Sequence, residues 1–136
     1  MSYTLKDEIL NKIYDLNDEL KVNLIEINST KQLYMNGPSQ ELLKRAFNIS
    51  YYQGQKQAIE AVQKMVEETN EESTLINELK VYYTNLSDSQ LNLMDVLKHL
   101  NKAQFNIEKS LDEYYHYLGQ ENIITQINHV ATDFKS

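Results

Sequence analysis

Apolar residues recur along this chain at spacings that keep one stripe of a helix hydrophobic over many turns. Ile9, Ile13, Leu16, Leu20, Leu24 and Ile27 follow one another at 4-3-4-4-3. Leu93, Leu97, Leu100, Ile107, Leu111, Tyr114 and Leu118 alternate at 4 and 3, broken only by Gln104. Such spacing predicts amphipathic helices packed lengthwise. The first stripe repeats every eleven residues, which gives a nearly straight helix. The second repeats every seven, which implies left-handed, coiled-coil-like packing.

Capping signals set the expected boundaries. Thr4 and Asp7 approximate a capping box at the start of the first helix. Asn36-Gly37-Pro38 is a stop signal, because Gly supplies a left-handed cap and Pro cannot continue the preceding helix. The first helix is therefore expected over about 5–35, roughly 46 Å at 1.5 Å per residue. A second follows over about 39–69. The polar run Glu67–Ser73 holds neither Gly nor Pro, and a break or kink is expected there. A short helix through Leu75, Ile76, Leu79, Tyr82, Tyr83 and Leu86 comes next. Ser87 and Gln90 match a capping box that would open a third long helix over 88–118, closed by Gly119. A last short helix, about 121–134, carries Ile123, Ile127, Val130 and Phe134. The expected fold is all-α: one domain over 1–136, an antiparallel helical bundle of three long helices and two shorter ones.

Within the second helix one face reads Leu43, Phe47, Ser50, Gly54, Ala58, Ala61 and Met65. Ser50, Gly54, Ala58 and Ala61 are four consecutive small residues. A glycine inside a helix costs about 1 kcal/mol relative to alanine, and close approach of another helix is the simplest compensation. Apolar residues off the main stripes, Leu33, Tyr83, Met94, Phe105 and Tyr115, are the candidate interface. A contiguous patch of them would mark a contact with a partner or a second copy, and a C2 homodimer is the expected form.

Composition narrows the class further. The 136 residues include three Gly, one Pro and no Cys. So few turn formers argue for few, long elements, and no disulfide or thiolate metal site can exist. The N-terminus lacks a basic segment followed by an apolar core, and no apolar run has bilayer-spanning length. A cytoplasmic location is expected; secretion without a cleavable signal peptide is compatible with the same features. The formal net charge of −7 opposes direct binding to nucleic acid or anionic membrane. Abundant Asn, Ile, Lys and Tyr suggest an AT-rich bacterial or phage genome.

No residue cluster carries a recognisable chemistry. Glu113-Tyr-Tyr-His116 is half of a di-iron helical-bundle motif, but His99 and His129 follow Val96 and Gln126 where a second Glu would be needed. His99 and His116 fall off the Leu93–Leu118 stripe and are expected at the surface. There is no Gly-rich phosphate loop and no visible Ser-His-acid pattern. No catalytic residue, cofactor or metal is expected. The ten tyrosines suit protein interfaces, offering contact area with a polar tip.

Tyr52-Gln53-Gly54 is similar to the Trp-x-Gly turn of WXG100 and LXG-associated helical hairpins of type VII secretion, and Tyr117-Leu-Gly-Gln-Glu121 is similar to their Tyr-x-x-x-acid export signal. The chain departs from that family in having no Trp and in placing Gly54 on a mid-helix face. The Tyr-x-x-x-acid spacing also recurs at Tyr3/Asp7 and Tyr14/Asp18. Four functions follow as expectations. The leading one is a non-enzymatic protein-interaction module that binds a protein partner or itself. The others are a type VII partner or substrate, an acidic phage-type inhibitor mimicking nucleic acid through Glu67–Glu72, and an enzyme whose dispersed residues converge in the fold.

Overall fold

The computed structural model describes residues 3–29, 39–98 and 107–135. They form four helices: α1 Leu5–Ser29, α2 Ser39–Glu68, α3 Glu72–Lys98 and α4 Ile107–Lys135. Four helices replace the expected five. Leu33, Phe105, His99 and the Asn36-Gly37-Pro38 stop lie outside the described residues.

The start of α1 follows the capping box. The Thr4 backbone N–H donates to Asp7 Oδ2 at 2.9 Å, and the Asp7 N–H donates to Thr4 Oγ1 at 3.3 Å. These bonds from Thr4 hold the Asp7 carboxyl below its usual range. At the other end of α1 no basic residue occupies the last turn. Instead Arg45 of α2 reaches across and donates from Nη2 to the Ile27 carbonyl at 3.1 Å, so a neighbour satisfies an orphan helix-end acceptor.

The polar run between α2 and α3 breaks the helix at residues 69–71. Thr69 is buried there and anchored three ways. Its N–H continues onto the Met65 carbonyl, its carbonyl accepts from Lys6 Nζ at 2.6 Å, and its hydroxyl donates to Glu78 Oε2 at 3.2 Å.

Two expected boundaries are corrected. No helix starts at Ser87–Gln90; α3 runs through it to Lys98. Thr84 and Ser89 donate their hydroxyls to the carbonyls of Lys80 and Asn85, four residues back. Hydroxyls that bond back four residues in this way belong to a helix interior. Nor does Gly119 close a helix, because α4 continues through it to Lys135. The Leu93–Leu118 stripe is therefore shared between two helices, and the expected short helix over 121–134 is the second half of α4.

Contacts between α2 and α4 advance together along both helices: Ser50 meets Asp112, Gly54 meets His116, and Gln55 meets Asn122. These two helices run parallel. Sequential neighbours run antiparallel, so the order is up-down-up-down. The second diagonal, α1 with α3, does not pack extensively among the described residues, whereas α2 and α4 make the most extensive contact of all. α4 also packs on α1 and α3, while α2 and α3 scarcely touch.

The core gathers Leu5, Ile9, Ile13, Leu16 and Leu20 of α1, Ala58, Ile59, Val62 and Val66 of α2, Leu75, Leu79 and Leu86 of α3, and Tyr117, Ile123, Ile124 and Ile127 of α4. Each buried Leu or Ile contributes about 1.5–3 kcal/mol. The ion pairs Lys56–Glu60 and Lys109–Glu113, 4.0 Å long and exposed, contribute about 0.5 kcal/mol at most. Burial, not surface charge, holds this fold.

Candidate functional site

The α2–α4 crossing sits on two glycines. A Cβ placed on Gly54 would stand 2.0 Å from the His116 carbonyl oxygen, and one on Gly119 would stand 1.9 Å from that of Tyr51. Each glycine thus offers a Cα–H to a carbonyl of the opposite helix, an approach that recurs at helix–helix interfaces. Ser50 and Ala58 flank this seat and are buried; the Ser50 hydroxyl donates to the Asp112 carboxylate. Ala61 is half-buried and turned towards a groove between α2 and α3. Gly119 was not among the small residues singled out from sequence, because a glycine late in an apolar stripe also reads as a helix stop.

On the other side of this crossing α2, α3 and α4 line an open groove of about 770 Å³, with Tyr82, Ser89, Asp112, Glu113, His116 and Gln120 among its residues. Tyr82 donates its hydroxyl to Gln120 Oε1 at 2.5 Å, and Gln120 Nε2 lies 3.1 Å from His116 Nδ1. With its oxygen taken by Tyr82, the Gln120 amide presents its N–H to the imidazole. His116 is half-buried rather than at the surface as its phase suggested. The Ser89 hydroxyl donates to the Asn85 carbonyl, so serine, imidazole and carboxylate share a groove without the base–nucleophile hydrogen bond that acyl transfer requires.

Burial pushes the Tyr82 hydroxyl from 10.0 up to about 12. The folded state keeps this phenol neutral at pH values where the unfolded chain ionises it. Its contribution to stability is whole below pH 10.0 and is lost as pH rises towards about 12. Denaturant titrations across that window should show stability falling, and Tyr82→Phe should make the fall shallower. Tyr117 is shifted upward too, first by burial and then by the neighbouring Glu121, so part of the alkaline loss should persist in the variant.

Two predominantly apolar grooves flank α3. One, of about 580 Å³ between α3 and α4, is lined by Ile76, Leu79, Tyr83 and Ala131. The other, of about 460 Å³ between α2 and α3, is lined by Ala61, Met65, Val81 and Tyr82. The second arises because α3 packs on α4 and scarcely touches α2. Tyr83, a candidate interface residue, is exposed at the first. Tyr115 is half-buried and stacks on Phe47 with ring centroids 4.5 Å apart. Met94 lies in α3, and its side chain is outside the described residues, as are Leu33 and Phe105.

The most exposed large apolar residue among the described residues is elsewhere, on α1. Tyr14, Val22 and Ile25 are 54%, 57% and 67% exposed. With Asn11 and Asp18 they form a row spaced 3-4-4-3, on the side of α1 opposite its buried stripe. Sequence reasoning missed this row. Its signal was present, a second apolar line half a turn from the first, but Asp15, Asp18 and Glu19 interleave with it and make that face read as solvated. The exposed charged residues of α1 are Asp7, Asp15, Asp18, Glu19 and Glu26 against a single base, Lys21.

No group of three or more His, Asp or Glu that could hold a metal occurs among the described residues, and none of their helices is long and apolar enough to cross a membrane. Tyr52-Gln53-Gly54 lies inside α2, and Tyr117 of the Tyr-x-x-x-acid motif is buried in the core. Glu67, Glu68, Glu71 and Glu72 are exposed together at the α2–α3 end of the bundle. No family model, no curated protein and no solved structure matches the chain.

Proposed function

We propose that the protein is a non-enzymatic interaction module that docks a protein partner on the outward face of α1. The observation that carries this reading is the row Tyr14, Val22 and Ile25, three large apolar side chains more than half exposed along one line of a helix already anchored by its opposite face. Large apolar side chains lined up along an exposed helix face offer contact area to a partner. Charge argues for a foreign partner over a second copy. Pairing this face with itself would set five acids and one lysine against the same set, and like charges across an interface are unfavourable.

The test is a variant carrying Tyr14→Ser, Val22→Ser and Ile25→Ser. Exposed positions tolerate substitution within about 0.5 kcal/mol each, so helicity and the unfolding midpoint should stay close to wild type. The variant should lose the protein that wild type retains from an extract of its native host. Light scattering during size exclusion should give the mass of one 16.0 kDa chain for both. Equal retention by the variant would put the docking surface elsewhere.

A further inference from the structure

Resting on that α1 face as the docking surface, we infer that its partner is a basic amphipathic helix lying lengthwise along α1. The row Asn11, Tyr14, Asp18, Val22 and Ile25, spaced 3-4-4-3, repeats every eleven residues and so runs nearly straight along the helix, and its apolar members span about 16 Å at 1.5 Å per residue. A seam of that shape on a convex helix fits another helix, whose apolar side chains pack between Tyr14 and Ile25. Asp18 stands in the middle of the row, exposed, where a partner's lysine or arginine would meet it. Beside the row stand Asp15 and Glu19, also exposed. In lengthwise helix pairs such flanking charges select the partner. On that side of the row they select Lys or Arg and reject Glu or Asp; Lys21 stands exposed on the other side.

A displayed library of helical peptides tests this, with a fixed apolar stripe and flanking positions randomised among Lys, Glu and Ser, selected on the full-length protein. Lysine flanks should be enriched. A selected peptide should bind wild type more weakly as salt rises, since exposed charge pairs are screened. It should lose about tenfold in affinity on Asp15→Lys/Asp18→Lys/Glu19→Lys, three exposed pairs reversed. It should lose binding to the Tyr14→Ser/Val22→Ser/Ile25→Ser variant, with circular dichroism confirming that both variants stay folded. Enrichment of Ser or Glu flanks that still depends on Tyr14, Val22 and Ile25 would overturn the basic partner and leave the docking face intact. Enrichment that is indifferent to those three residues, or no enrichment on any form of the protein, would overturn both.

Discussion

Gly54→Ala and Gly119→Ala are each expected to destabilise the protein by about 1–3 kcal/mol through overpacking. The sign is opposite to what local helix propensity dictates, since alanine in a helix interior is favoured over glycine by about 1 kcal/mol. The reason is the crossing. A methyl group at either position would stand 2.0 Å or less from a backbone carbonyl oxygen of the facing helix. A carbonyl within a helix cannot rotate away, so the helices must separate. Separation loosens Ala58 and the Ser50–Asp112 hydrogen bond on one side and the α1 and α3 contacts of α4 on the other. The two glycines share one displacement: once the helices have parted for the first methyl, the second costs less. The double variant should therefore fall short of the summed losses by about 0.5–3 kcal/mol, the range for residues coupled through a backbone shift. Gly54→Leu should be worse than Gly54→Ala. Chemical denaturation of the four variants beside wild type decides it, and either alanine variant proving more stable than wild type would show that the crossing has slack.

Ile127→Ala should cost more, about 2–5 kcal/mol, as expected for emptying a well-packed core site. Ile127 is fully buried on α4, which packs against α1, α2 and α3. Its surroundings are pinned on three sides and have little freedom to collapse into the cavity. Ile25→Ala removes the same atoms from a residue 67% exposed and should change stability by about 0.5 kcal/mol or less. The contrast between two isoleucines separates residues that build the fold from residues that face outward. Similar losses at both would show that the α1 row is covered within the chain.

The parts of this fold legible in the sequence are those with one physical reading. Thr4 and Asp7 form the capping box their spacing implies, and the polar stretch after Val66 does break the helix. Ile9, Ile13, Leu16 and Leu20 are buried on the face their period picks out, and Leu24 and Ile27 half-buried. The illegible parts are residues with two uses. A glycine terminates helices and also admits close neighbours; Gly119 does the second where its flanks suggested the first. Ser and Gln three apart open helices, yet around Ser87–Gln90 the hydroxyls of Thr84 and Ser89 bond backwards and the helix runs on. α4 defeats a stripe-based reading because three neighbours surround it, and its apolar residues spread around the circumference. The candidate interface suffered from the same ambiguity. Tyr14, Val22 and Ile25 alternate with carboxylates, and their face reads as solvated. Phase relative to the buried stripe, and not local hydrophobicity, is the signal that finds them.

The most direct test of the α1 docking face is site-specific photo-crosslinking in the native host. A benzophenone side chain placed at Val22, and separately at Val81 and Tyr83, samples the outward row of α1 and the two grooves beside α3 at exposed positions. The account predicts a discrete protein adduct from position 22 and none from 81 or 83. Adducts from the α3 positions with none from α1 would contradict it.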